Sequence, residues 1–136
     1  MRVGLAGAGM VSHHHPVGWR AIDGATVVAI ADPDRAKAEE RAGEHAIPAI
    51  YDSVDAMLTH ERPDAIDIAA PMETHAALVE IAADHGVAIL CQKPLAPTFN
   101  EAEAVAAIAS AKGVRLMVHE NWRFRPHYRT ITAWLE

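Results

Sequence analysis

The residues of this chain that could do chemistry sit where short apolar runs end. The first such place is residues 2–12, where an apolar run stops at Gly7-Ala8-Gly9-Met10-Val11-Ser12. In a strand-turn-helix setting the spacing Gly-x-Gly-x-x-Ser suits a phosphate. Gly7 allows a tight turn, Gly9 has no Cβ and lets a pyrophosphate approach the backbone, and the N–H groups opening the next helix point at the negative charge. Ser12 stands where the fingerprint has Gly or Ala, and it is small enough to keep helix and strand close.

The acid that should accompany such a turn, about 20 residues on and at the end of a second strand, is Asp32, which follows the apolar run 26–31. Two roles are open to it. It could accept from a ribose hydroxyl, or it could cap a helix, since Pro33 follows at the favoured first helical position. A carboxylate beside the ribose 2′ position accepts from a hydroxyl and repels a phosphate, which favours NAD over NADP. Arg35, three residues on, is placed to pair with a 2′-phosphate or stack on adenine, so NADP stays open.

Two further segments follow apolar runs of strand type. In Cys91-Gln92-Lys93-Pro94-Leu95, a lysine at the ligand-binding edge of a parallel sheet could shuttle a proton or hydrogen-bond a substrate hydroxyl; the plainer alternative is a solvated lysine before a proline turn. Residues 119–126, His-Glu-Asn-Trp-Arg-Phe-Arg-Pro, gather polar and aromatic side chains that suit a hydroxyl-rich ligand. The run His13-His14-His15 is not read as a metal site, because helical neighbours point about 100° apart and only positions three or four apart share a face.

The elements that must position these residues alternate between strand and helix at βαβ intervals, which predicts an α/β fold with a parallel sheet. Strands are expected at 2–6, 26–31, 49–51, 65–70, 87–91 and 114–118. The run 87–91 is fully apolar, so it should be covered on both faces. Helices are expected over 10–22, kinked or broken at Pro16, and over 34–46 on the rim. A short helix is expected over 53–60, a helix capped by Thr74 and ended by Gly86, and another opened by a Thr98/Glu101 capping box with Ala102, Val105, Ala106 and Ala109 as its buried stripe. A last helix starts at Pro126.

Composition narrows the class. A chain of 136 residues is one domain's worth, and the formal net charge of −6 without a basic block argues against nucleic acid or anionic lipid as partner. No apolar stretch approaches the roughly 18 residues needed to cross a bilayer, so no membrane association is expected. Cys91 is the only cysteine, which leaves no internal disulfide and no cysteine metal site. A cytoplasmic location is expected, since the N-terminus enters a strand without a signal-peptide pattern.

The glycine turn, the Ala-Asp-Pro-Asp end of the second strand, Pro71-Met72-Glu73-Thr74-His75, Lys93-Pro94-Leu95, and Asn121, Arg123, Phe124 and Pro126 occur together and in order. Together they resemble the N-terminal domain of the Gfo/Idh/MocA family, NAD(P)-dependent dehydrogenases of sugars, inositols and related polyols. The resemblance implies a Rossmann-type doubly wound parallel sheet, a single domain over 1–120, with 121–136 starting the connection to a C-terminal substrate domain. It implies that Gly7, Gly9, Met10 and Val11 line the pyrophosphate, and that Asp32 holds the adenosine ribose with Arg35 nearby. Pro71, Thr74, His75 and Gln92 would border the cofactor. Lys93 would be the catalytic lysine near nicotinamide and reacting hydroxyl, and Asn121 and Arg123 would face nicotinamide and substrate. No metal is implied, and homo-oligomerisation is open.

Two departures from the family carry consequences. The family usually has Glu before the lysine, whereas Gln92 removes the carboxylate that would favour a charged lysine, so a catalytic Lys93 should have a lower pKa than it would beside Glu. The family's second α/β domain, which supplies substrate contacts, has no counterpart in residues 1–136, so this chain alone is expected to be inactive. The alternatives are a non-catalytic dinucleotide-binding module or a fragment that needs a partner chain, and a methyltransferase, in which the Lys93-Pro94 turn would have no role.

Overall fold

The computed structural model describes residues 1–135, the side chain of Arg123 excepted. Six parallel strands form one sheet: β1 (Arg2–Ala6), β2 (Thr26–Ala31), β3 (Ala49–Tyr51), β4 (Ala65–Ile68), β5 (Ala88–Gln92) and β6 (Leu116–His119). Their spatial order is β3-β2-β1-β4-β5-β6. The chain leaves β1 toward one edge and returns beside it as β4, so the exits of β1 and β4 diverge and open a crevice at the C-terminal strand ends. This is a doubly wound Rossmann-type sheet.

Helices α1 (His14–Arg20) and α2 (Arg35–His45) cover one face. Helices α3 (Val54–Glu61), α4 (His75–Asp84) and α5 (Phe99–Ala111) cover the other. The second face holds the larger core, with Ile66, Ile68, Met57, Leu58, Val79 and Cys91 almost fully buried. Each such side chain contributes roughly 1.5–3 kcal/mol of burial. A smaller core lies under α2, where Leu5 and Ile30 meet Ala38, Ala42 and Ile47. The helix rich in Ala, Glu and Arg therefore packs by its alanines. A sixth helix, α6 (Pro126–Leu135), follows a tight turn at Asn121–Phe124 and leaves Ile131, Trp134 and Leu135 exposed.

Several local expectations need correction. The helix expected over 10–22 is not broken at Pro16 but changes form ahead of it: a 3-10 turn spans Met10–His13 and continues through helical dihedrals at His13 and His14 into α1. Pro16 thereby falls in the first turn of α1, where proline is tolerated. Thr74 does not cap α4; its hydroxyl donates to the Pro71 carbonyl at 2.7 Å and closes the turn Met72–Thr74 instead. The cap of α2 is Asp34, which accepts from Lys37 N, and not Asp32. Ala106 is exposed, and Ile108 packs against the core with Val105 and Ala109. Strand β5 is closed on one face only: Ile89 and Cys91 are buried while Leu90 and Gln92, on the α1 side, are partly open.

The capping box of α5 forms as expected, with Thr98 and Glu101 bonded reciprocally. Gly86 ends α4 at φ +70°.

Candidate functional site

The crevice is a cavity of about 750 Å³ at the C-terminal ends of β1, β2, β3, β4 and β5. That size suits a cofactor-scale ligand. Its floor is the turn after β1. Gly7 has φ +101°, and a Cβ there would lie 2.6 Å from the Ala69 carbonyl oxygen, so glycine is required both for conformation and for the close approach of the β1 and β4 exits. Gly7 N donates to Ala31 O, and Ala69 N donates to Ala6 O, which ties three strand ends into one rim.

A Cβ at Gly9 would meet no described atom within 4 Å. Packing thus does not demand glycine there, and the space it leaves lies on the solvent side of the turn. Met10 and Val11 open the 3-10 turn, and their N–H groups have no earlier carbonyl within that turn to serve. Ser12 is fully buried: its hydroxyl donates to Gly9 O at 2.6 Å and accepts from Arg41 Nε at 3.1 Å. The third small position of the motif is therefore an internal brace of the turn.

Asp32 stands across from the turn. One carboxylate oxygen accepts from Ala8 N at 2.7 Å and the other from Asp34 N at 2.8 Å. A carboxylate has about four lone-pair directions, so capacity remains on the cavity side.

Of the residues singled out from sequence, Gly7, Gly9, Met10, Val11, Asp32, Pro71, Thr74, Gln92 and Lys93 all line this one cavity. Arg35 does not. It pairs with Glu39 at 3.0 Å and Asp52 at 3.2 Å, and both carboxylates hold its guanidinium pKa above the ordinary value. His75 also lies outside the lining. Its two ring nitrogens face Leu95 O at 3.2 Å and Ala70 O at 3.0 Å, so it braces the β4 exit against the turn after β5. Asn121 is exposed on the turn beyond β6 and is not among the lining residues. The Arg123 side chain is outside the described set.

Sequence reasoning missed Lys37, Asp52, Ser53, Asp55, Leu78 and Ile81, which complete the wall. Part of the signal was available: ligands gather beyond the carboxyl ends of the strands of an open sheet, and Asp52 and Ser53 directly follow β3. Lys37 is paired with Asp34 at 2.8 Å, which raises its pKa and lowers that of Asp34.

His13, Glu44 and His45 place three ligand-type atoms within 4.8 Å of one another. The Arg41 guanidinium, however, lies 2.9 Å from His13 Nδ1 and also contacts Glu44, taking the position a cation would need. Cys91 is not a nucleophile candidate: burial, with Asp67 adding to it, pushes its thiol up to about 12.

A glycine turn that cannot accept a Cβ, an acid facing it and a crevice between the β1 and β4 exits are the parts of a dinucleotide site. The model of an oxidoreductase family with an NAD-binding Rossmann fold, GFO_IDH_MocA, matches residues 1–120. The chain belongs to the Gfo/Idh/MocA family.

The Gfo/Idh/MocA relatives agree in kind. A D-apiose dehydrogenase of Paraburkholderia graminis is 42% identical over 93% of this chain and 34% of its own length. An inositol 2-dehydrogenase of Rhizobium meliloti is 34% identical over 96% of this chain and 39% of its own. Among solved structures, an Agrobacterium radiobacter oxidoreductase in complex with NAD+, L-tartaric acid and magnesium superposes with TM-score 0.93 at 31% identity, covering 99% of this chain and 40% of that one. The chain thus spans about a third to two fifths of these relatives' length, and it is an NAD-binding oxidoreductase domain of the family. Among the described residues, no helix is long and apolar enough to cross a membrane.

Proposed function

We propose that residues 1–120 bind NAD and that the protein passes hydride between a hydroxyl-bearing carbon of a sugar or polyol and the nicotinamide. The observation that supports this most directly is the convergence of Gly7, Gly9, Asp32 and Lys93 on one cavity, with Lys93 at its β5 end. The fit to a dinucleotide rests on the backbone at Gly7, which a Cβ would block, and on the open space at Gly9.

In this reading the N–H groups of the turn at Gly9, Met10 and Val11 take the pyrophosphate. Asp32 accepts from the adenosine ribose hydroxyls, so NAD is preferred to NADP. Pro71 and Thr74 border the cofactor. NAD, when bound, supplies the hydride acceptor. Lys93, exposed at the end of β5, is placed to hydrogen-bond the substrate hydroxyl or take up its proton. Asn121 and Arg123 follow β6 in sequence and would face the nicotinamide and the substrate.

The sugar or polyol class comes from the D-apiose and inositol dehydrogenases among the relatives, of whose lengths the match covers 34% and 39%. The test has two arms. NADH titration of this chain should show binding. A chimera joining residues 1–136 to the part of the P. graminis relative outside the matched segment should form NADH from a sugar, and Lys93→Ala should remove that activity. Binding without turnover in the chimera would favour a non-catalytic dinucleotide-binding module.

A further inference from the structure

On the α1 face of the sheet, beneath the Lys93 end of the cavity, the chain buries a polar cluster where an apolar layer would be cheaper. Asp67, on β4, is 1% exposed, and His15, on α1, is 6% exposed. An unpaired carboxylate at that depth would be strongly destabilising, so its partners must satisfy it. His15 Nδ1 lies 2.9 and 2.8 Å from the two Asp67 oxygens, and Trp19 Nε1 donates to Asp67 Oδ2 at 2.6 Å. The other ring nitrogen of His15 faces Gln92 Nε2 at 3.3 Å, and Gln92 Oε1 accepts the backbone N–H of Lys93 at 2.8 Å.

Proton positions along this chain of contacts are fixed by elimination. A backbone N–H can only donate, so the Gln92 atom facing Lys93 N is the oxygen and the atom facing His15 is the NH2 group. That NH2 can only donate, so His15 Nε2 must accept and carries no proton. A carboxylate can only accept, so Nδ1 carries the proton. We infer that Asp67 and His15 are positioning residues for Lys93: they hold His15 as the neutral Nδ1–H tautomer, which orients the Gln92 amide, which in turn clamps the Lys93 main chain at the cavity.

The polar and titratable groups around His15 come from four elements. On β4 stands Asp67, and on β5 stand Gln92 and Cys91, the latter held as a thiol. On β6 stands His119, whose ring centroid lies 5.0 Å from that of His15; Trp19 is the contact from α1 itself. Glutamate at position 92 would reverse the demand. Its carboxylate needs a proton from Nε2, so His15 would have to become an imidazolium between two carboxylates. Glutamine at this position therefore specifies an uncharged link.

Only the chemical purpose of the clamp depends on the hydride-transfer reading. The test is a long-range imidazole 1H–15N correlation on the ligand-free chain at pH 7, with His15 identified by its loss in His15→Gln, or by through-bond assignment from its own amide if that variant does not fold. The expected spectrum has His15 protonated on Nδ1 and bare on Nε2. In Gln92→Glu, with backbone dispersion unchanged, both nitrogens should be protonated. In Gln92→Leu the Lys93 amide should exchange with solvent about tenfold faster, the loss of one hydrogen bond. Wild-type His15 protonated on Nε2, a bare Nε2 in Gln92→Glu, or unchanged Lys93 exchange in Gln92→Leu would each overturn the inference. Because no cofactor is present, failure here leaves NADH binding untouched, and failure of NADH binding leaves these signals in place.

Discussion

The Asp32 carboxylate accepts the backbone N–H of Ala8 at 2.7 Å, so the acid at the end of β2 is tied directly to the glycine turn at the end of β1. The same side chain holds Asp34 N with its second oxygen. One residue therefore shapes the floor of the cavity and supplies its acceptor. A substitution at Asp32 acts on both, and the two effects separate only when two cofactors are compared.

Gly7→Ala should destabilise the fold as well as the site. Its φ of +101° is strained for any L side chain, and the new Cβ would lie 2.6 Å from Ala69 O, an atom of the backbone. Strain of this kind costs about 1–3 kcal/mol, and the displaced backbone adds to it. A fall in the thermal midpoint of roughly 6–10 °C is expected, together with loss of NADH binding. A variant as stable as the parent would contradict the role assigned to the β1–β4 approach.

Lys93→Ala should behave in the opposite way. Lys93 is exposed, so the thermal midpoint should hold and NADH affinity should change little. In the chimera described above, hydride transfer should fall by about 10²–10⁴. Rate measurements at saturating NAD decide this, and a loss confined to KM would assign Lys93 to substrate binding alone.

Stability should fall as pH drops below neutrality. Burial lowers the pKa of His119, and burial also lowers that of His45, whose Nε2 has no hydrogen-bond partner among the described residues. In the window between the lowered folded values and the ordinary value of about 6.5, the unfolded chain binds more protons than the folded one, so stability rises with pH there. The carboxylates with lowered pKa, Asp34 and Glu44, lose their contribution only at more acidic pH, below about 4.5. Urea midpoints at pH 7.5 and 5.5 should show the fall, and His119→Gln should reduce it. A flat profile would contradict the burial assigned to both rings.

Strand and helix order was legible in the sequence because the strands are mostly apolar runs, Asp67 in β4 being the buried exception, and the turns carry glycine, proline or aspartate. The meeting of the glycine turn and Asp32 at one cavity was legible because it depends on backbone and spacing. What was not legible depends on which neighbour a polar group meets. Thr74 has the type and place of a cap, yet its hydroxyl donates to Pro71 O and makes no cap hydrogen bond to the helix. Arg35 has the place of a phosphate ligand, yet Glu39 and Asp52 hold it. His15 and Asp67 are 52 positions apart, and nothing local to either announces the other.

The most direct test of the central claim is a parallel titration of the parent chain and Asp32→Ala with NADH and with NADPH, read by cofactor fluorescence. The parent should prefer NADH. Hydrogen bonds to a charged group are worth about 1.5–3 kcal/mol, so Asp32→Ala should lose roughly tenfold or more in NADH affinity, while NADPH, repelled by the carboxylate, should lose far less or gain. Tighter binding of NADPH by the parent, or equal losses for the two cofactors, would contradict the account and leave Asp32 as a brace of the glycine turn alone.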